Sequence, residues 1–393
     1  MKAVTWHGKR DIRVDNVPDP MIQDPTDCIV RITSTAICGS DLHLYEVFGP
    51  FLEEGDILGH EPMGIVEEVG PEVRELKVGD RVVIPFNVSC GDCWTCGQGL
   101  HSQCETTQNH DQGTGASLFG YTKLYGQVPG GQAELLRVPF ADKLPIRVPH
   151  GPPDERFLYL SDVMPTAWQG VKYADVPDGG TLLVLGLGPI GDMATRIAMH
   201  QGKRVIAIDL VPERLERARA NGVEVLDLQT LDNPGDVLRE MTDGRGPDAV
   251  LEAVGMEAHG SPVAEIAHKF IGLLPDAIAE PMMKQAGIDR MNALYLAFDA
   301  CRRGGTVSIS GVYGGQADPF PLFQIFDKQL QLRMGQANVL AHVDDLLPLV
   351  TDSDVLGCED FATHRIGFDE VPEAYATFQK KQDGAIKYVI KPT

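Results

Sequence analysis

The sequence predicts an α/β protein in which a doubly wound parallel-sheet domain is joined to a β-rich domain. Three observations carry this prediction. From residue 181 onward, continuous apolar runs alternate with amphipathic helical stretches. A Gly-x-Gly-x-x-Gly turn connects the first of those runs to the first helix. The first ~155 residues instead hold short apolar runs broken by Gly, Pro and Asp.

Taken in order, CIVRI and RVVIP are typical of the early strands. Segment 105–131 is polar and Gly-rich with no clear period, so it reads as a long loop, a class of segment that often carries function. TLLVLG (181–186) is continuously apolar, as a strand buried on both faces must be. Ile190, Met193, Ala194, Ile197 and Ala198 follow at spacings of three and four, one face of a helix. RVIAID (204–209) is the next strand. PERLERARANG is the next helix, with Pro212 near its start and Gly222 just past its end. Further strands are predicted at 248–255, 305–311 and 330–335. Residues 256–290 interrupt the alternation and read as an insertion. The last ~55 residues return to a mixed pattern ending in AIKYVIKP. The predicted domains are 1–163 with 337–393, and 164–336.

Composition narrows the partners. The 393 residues are 43% hydrophobic and 23% charged, an ordinary globular balance. With 56 acidic and 34 basic residues the formal charge is −22, which repels phosphate backbones and anionic lipid. The opening MKAVTWHGKRDIRV has no apolar run of signal-peptide type, and no stretch approaches ~18 uninterrupted apolar residues. The expectation is therefore a cytoplasmic protein with no nucleic-acid or membrane partner.

Four of the eight cysteines fall within fifteen residues, spaced Cys90-x2-Cys93-x2-Cys96-x7-Cys104. In a long intracellular chain such clustering points to metal rather than disulfides. Three thiolates three residues apart can wrap one ion, and Gly91, Gly97 and Gly99 relax the backbone there. The iron–sulfur pattern that shares this spacing ends in Cys-Pro, which is absent, so the ion is read as zinc. Four thiolates leave no open position, so the role is structural. Upstream lie Cys38-Gly-Ser40-Asp41-Leu-His43 and Gly59-His60-Glu61. A catalytic zinc takes three ligands of mixed type, and Cys38 and His60 offer a sulfur and a nitrogen. Each alone is ordinary; their joint appearance before a zinc cluster and a nucleotide motif makes them candidates.

In the glycine turn, Gly186 permits the tight bend and Gly188 lets the backbone approach a pyrophosphate. Gly191 lets helix and strand pack closely. With Pro189 and Ile190 these residues would seat the phosphates at the positive end of the helix. Asp209 ends the next strand, 18 residues after Gly191. A carboxylate there accepts from both ribose hydroxyls and repels a 2′-phosphate, which favours NAD. Arg214, five residues on, could lean over the adenosine end or simply lie on a solvated helix face.

These features resemble the zinc-containing medium-chain alcohol dehydrogenases across nearly the whole chain. Within that family CGSDLH, GGQAELLRVPFAD and SDVMPTAW resemble the branch of glutathione-independent formaldehyde dehydrogenases and formaldehyde dismutases. The resemblance implies a GroES-like catalytic domain beside a Rossmann NAD-binding domain, two Zn2+ per chain, and a homo-oligomer, dimer or tetramer. It implies Asp162, 24 residues before Gly186, as the third catalytic-zinc ligand, and Glu61 as a transient one. It also implies a mechanism: a small alcohol or hydrated aldehyde binds the metal by oxygen, and Ser40 takes the hydroxyl proton. The proton passes by way of the cofactor ribose to a solvent-facing His43, while Thr166 helps hold the nicotinamide that receives hydride. Where some family members carry a phosphate-gripping Arg after the first ligand, this chain has Gly39; Lys387 matches a second basic position that could share that role. The 256–290 insertion would be a lid or a subunit contact. A non-redox zinc enzyme has no use for the dinucleotide motif. A silent NAD-binding protein would not be expected to retain Cys38, His60, Asp162, Ser40 and His43 together.

Overall fold

The computed structural model describes residues 1–255, 291–313 and 320–392, and the chain divides into two units, Met1–Pro165 with Ala337–Thr393 and Thr166–Gln336. The helix Val163–Ala174 carries the boundary. The predicted insertion at 256–290 lies outside the described residues.

In the second unit Thr181–Leu185 is buried at every position, as its unbroken apolar run requires. It pairs in parallel with Arg204–Asp209 on one side and Ala249–Glu252 on the other. The six parallel strands run Glu224–Asp227, Arg204–Asp209, Thr181–Leu185, Ala249–Glu252, Thr306–Ile309, Gln331–Met334. In chain order this is 3-2-1-4-5-6, the doubly wound dinucleotide-binding order. Order reverses between Thr181–Leu185 and Ala249–Glu252, so the carboxyl end of that pair is the switch point where such sheets bind ligands. Leu183, Leu185, Ile206, Ile208, Val250, Val307 and Phe298 meet in one core cluster. The helices Pro189–His200 and Pro212–Ala220 begin with proline at their first position, where the missing N–H costs nothing.

The strand Glu224–Asp227 is not signalled by the sequence. It is four residues long and none of it is fully buried, so it lacks the apolar run that marks its neighbours. The other late strands are shorter than predicted: four residues each at Ala249–Glu252, Thr306–Ile309 and Gln331–Met334.

In the first unit the hub is Cys28–Ile37, which pairs antiparallel with Met63–Val69, Leu135–Val138 and Tyr388–Lys391. The last of these returns from the C-terminal segment, which pins residues after 337 to the sheet. Arg81–Val83, Ile146–Arg147 and His364–Gly367 complete a seven-stranded sheet. Its core includes Val30, Ile32, Val66, Val82, Phe119, Leu136 and Val138. Segment 105–131 is not the featureless loop the sequence predicts. Gln108–Asn109 pairs with Thr114–Ala116, and the Thr107 hydroxyl and Asn109 amide bond backbone carbonyls at 2.7 and 3.0 Å. Side-chain-to-backbone bonds build this segment, and they leave no hydrophobic period to read. Among the described residues no helix is long and apolar enough to cross a membrane.

Candidate active site

Three segments of the first unit deliver the mixed ligands. The hub strand ends at Ile37, Cys38 stays extended, and the chain turns into the helix Gly39–Glu46. Gly59, at φ +96°, precedes His60, and a Cβ on it would lie 2.3 Å from Gln132 Cγ, so glycine alone lets the backbone pass. Asp162 follows the single turn Tyr159–Ser161. The ligand atoms of Cys38, His60 and Asp162 all lie within 4.8 Å of one another. Asp162 Oδ2 is 3.5 Å from Cys38 Sγ and 3.4 Å from His60 Nε2.

Zinc fits this set. Donors about 2.0–2.3 Å from one ion at a tetrahedral angle stand roughly 3.3–3.8 Å apart, the spacing Asp162 shows to both Cys38 and His60. Sulfur, nitrogen and carboxylate oxygen are all accepted by zinc, and three protein ligands leave a fourth position open. The electrostatics agree. Burial alone would lower the pKa of His60, but Asp41, Asp162 and Cys38 surround it and hold it well above an ordinary histidine. Burial and the Glu61 carboxylate push the Cys38 thiol up. The pocket is thus short of positive charge, and a cation would release the thiolate and the neutral imidazole it coordinates.

The surrounding residues sort as follows. Ser40 Oγ lies 3.3 Å from His60 Nε2, against the ligand set. His43 does not face solvent as the resemblance implies: it is 9% exposed, its ring edge-on to Phe48 at 6.1 Å. The short helix turns it inward onto that aromatic neighbour. Glu61 forms an ion pair with Lys387, and both side chains are fully buried. Lys387 is therefore not an open phosphate grip. Its ammonium is committed to Glu61 inside the first unit. That carboxylate, with Cys38 and Asp162 nearby, holds its pKa up although burial pulls it down. Asp41, which the sequence left without a role, is also fully buried. Its Oδ2 accepts the Cys38 N–H at 2.9 Å and its Oδ1 stands 3.3 Å from His60 Nδ1. A carboxylate behind a ligating imidazole sets which nitrogen faces the metal. The signal was its place three residues after Cys38.

The second cluster, Cys90, Cys93, Cys96 and Cys104, likewise gathers its sulfurs within 4.8 Å. Cys93 and Cys104 are 3.8 Å apart, the separation of two thiolates on one zinc. Backbone N–H groups of Cys90 and Cys93 point at Cys104 and Cys90 sulfurs at 3.3 and 3.4 Å. Burial opposes ionisation of Cys93, but the Thr95 hydroxyl and nearby N–H groups hold it down to about 5. Backbone and side-chain donors likewise lower Cys104 against its burial, whereas burial and the Cys93 sulfur push Cys96 up, so a bound cation would have to release that proton.

In the second unit Gly186 sits at φ +87° and Gly188 caps the helix Pro189–His200. A Cβ on Gly191 would lie 1.8 Å from Gly186 O. A Cβ on Gly188 would meet only Arg214 Nη1, at 3.8 Å, which puts that guanidinium beside the turn. Asp209 is buried at the strand end. Its Oδ2 accepts the Leu187 N–H at 2.6 Å, and its Oδ1 accepts those of Leu210 and Val211 at 2.6 and 2.9 Å. It ties the glycine turn to the second strand. Thr166, half-buried, lies on the helix Val163–Ala174 in this unit.

Comparison with known proteins agrees with this arrangement. Residues 24–148 match the alcohol dehydrogenase GroES-like domain, and residues 189–269 match the zinc-binding dehydrogenase family. The zinc-type alcohol dehydrogenase-like protein AdhB of Bacillus subtilis is 42% identical over 396 residues, covering 100% of both chains. The formaldehyde dismutase of Pseudomonas putida is 31% identical, over 100% of this chain and 97% of its own length. Among solved structures, alcohol dehydrogenase TADH from Thermus sp. ATN1 superposes with a TM-score of 0.82 at 33% identity, covering 100% of this chain and 99% of the other. Matched by both family models and by a relative 42% identical over the whole of both chains, the chain belongs to the zinc-dependent alcohol dehydrogenase family.

Proposed function

We propose that this oxidoreductase is NAD-linked and moves a hydride between a small alcohol or hydrated aldehyde and the nicotinamide, with formaldehyde the first substrate to test. The convergence of Cys38, His60 and Asp162 as three, not four, buried ligands carries the reading. When bound, zinc supplies Lewis acidity toward a substrate oxygen and NAD accepts the hydride. Cys38, His60 and Asp162 would hold the ion, and the hard carboxylate would donate less charge to it than a second sulfur, leaving it the stronger Lewis acid. Ser40, whose Oγ lies 3.3 Å from His60 Nε2, would take the substrate hydroxyl proton. His43 is its neighbour three residues along the same helix face and is the base that carries the proton onward.

In the other unit Gly186, Gly188 and Gly191 seat the pyrophosphate at the N-terminus of Pro189–His200, and Asp209 selects the dinucleotide. Its carboxylate is fixed by three N–H donors, so its charge cannot swing away from a 2′-phosphate. Similarity to a formaldehyde dismutase raises a second reaction: one aldehyde oxidised and another reduced without net cofactor turnover. A screen of alcohols and aldehydes, followed by absorbance of reduced nicotinamide, tests the first reading. An arm with formaldehyde alone, analysed for methanol and formate, tests the second. Absence of reduced cofactor and of both products, across primary alcohols, secondary alcohols and aldehydes, would sink the proposal.

A further inference from the structure

Behind Asp41 and His60 the first unit holds a buried line of polar groups whose outer members, Gln132 and Tyr375, none of the chemistry above uses. Tyr375 Oη donates to Gln132 Oε1 at 2.8 Å. Gln132 Nε2 donates to Ala36 O at 3.0 Å and reaches Asp41 Oδ2 at 3.4 Å. Asp41 takes the Cys38 N–H on that same oxygen and turns the other toward His60 Nδ1, neither atom of that pair having a hydrogen bond elsewhere. Tyr375, Gln132 and Asp41 are all fully buried.

The direction of this line is fixed by chemistry. Ala36 O and Asp41 Oδ2 can only accept, so the amide of Gln132 must present its NH2 to them. Its carbonyl then faces Tyr375, and only a protonated phenol can donate to it. Burial raises the Tyr375 pKa well above the ordinary tyrosine value and so keeps that proton in place. Three hydrogen bonds hold Gln132 and the Asp41 carboxylate in one geometry, and the free oxygen of Asp41 is left 3.3 Å from His60 Nδ1 as a charge contact.

We propose that Tyr375 and Gln132 are positioning residues for the metal centre: through Asp41 they fix the ring of His60 and the backbone of Cys38 in ligating geometry. This rests on the reading of Cys38, His60 and Asp162 as a zinc site. It assigns a role to the glutamine of the GGQAE motif, which the metal and cofactor chemistry leave idle. Gly59 belongs to the same arrangement, since its missing side chain is what lets Gln132 lie against the segment carrying His60.

The test uses the full chain, with zinc content measured by elemental analysis and zinc affinity by competition with a colorimetric chelator. Tyr375→Phe removes one oxygen and leaves Gln132 Oε1 without its donor. It should weaken zinc at this site about tenfold, within the 10–100-fold range of losses behind metal ligands. Gln132→Glu turns a donor into an acceptor facing Asp41, and should cost more. Cobalt in place of zinc should show a shifted visible band in both variants, which a purely structural loss would not produce. Tyr45→Phe is the control: its ring packs on Tyr375 at 5.7 Å but its hydroxyl lies outside the line, so affinity and spectrum should not move. If Gln132→Glu fails to fold, Tyr375→Phe decides. Wild-type zinc affinity and an unshifted cobalt band in Tyr375→Phe, whatever its melting temperature, would overturn the assignment. A wild-type chain holding one zinc, on the thiolate lobe alone, would instead overturn the metal-centre reading on which this one stands.

Discussion

The glycine turn separates two jobs that a motif runs together. A Cβ at Gly191 would stand 1.8 Å from Gly186 O, whereas one at Gly188 would meet only Arg214 Nη1 at 3.8 Å. Gly188 also has an ordinary φ of −68°. Gly191→Ala should therefore lower stability by about 1–3 kcal/mol, the usual cost of overpacking, and denaturant midpoints would show it. Gly188→Ala should leave stability within about 0.5 kcal/mol of wild type but raise the Kd for NAD, because the added methyl occupies the path of the pyrophosphate. Equal destabilisation by the two would contradict the division. Asp209 needs similar care. Removing its side chain would also cut the bonds to Leu187, Leu210 and Val211. Asp209→Asn keeps the shape and removes the charge; its amide oxygen can keep the Leu210 and Val211 bonds while its NH2 loses the Leu187 one. It should reduce the preference for NAD over NADP by about tenfold, roughly one charge–phosphate repulsion of 1.4 kcal/mol, with some loss of stability beside it. At this scale Cys38, His60 and the four lobe cysteines stood out as candidates because thiol, imidazole and glycine spacings carry their chemistry locally, whereas Asp162 has no local pattern and came only from the resemblance. Tyr375 was not, since it meets Gln132 across 243 residues with no local pattern to announce it.

Elements were legible where burial is two-sided and obscure where polar bonds do the building. Thr181–Leu185 and Arg204–Asp209 show apolar runs because both faces are covered, while Glu224–Asp227 at the sheet edge does not. The N-terminal hairpin supplies another polar device. His7 on Lys2–Gly8 bonds Asp15 of the paired strand at 2.6 Å and Glu54, in the loop after the turn Gly49–Phe51, at 3.0 Å. Thr5 also faces it at 3.2 Å, and Arg13 lies close enough to oppose its charge. Burial and Arg13 lower its pKa, but the two carboxylates outweigh them and raise it above 6.5. A raised folded-state value means the contribution is complete below pH 6.5 and is lost as pH rises through the folded value. Wild type should thus exceed His7→Gln in stability by about 0.5–1 kcal/mol near pH 6, given carboxylates that are partly in water. The gap should close at higher pH, as paired melts across that range would show. A gap that widens with pH would reverse the assignment.

At the scale of the whole molecule, the two proposed metal sites in one unit would divide chemistry from stability. The thiolate lobe would close around an ion with four sulfurs, whereas the Cys–His–Asp set offers three donors and would leave a position open. Fewer protein ligands and an open coordination site let a chelator form a ternary complex and withdraw the ion, whereas a closed four-thiolate site must first lose a ligand of its own. Graded chelation should therefore pass through a stage with about one zinc per chain. At that stage turnover should be gone while the melting transition stays cooperative. Removing the second ion should then lower Tm by several degrees, because the lobe's sulfurs would be left as buried thiols and thiolates crowding one another. Cys38→Ala should reproduce the first stage without chelator and Cys93→Ala the second. Loss of activity and of melting temperature in one step, at every zinc content between two and none, would show that the two centres are not separable and that the division drawn from their ligand counts is wrong.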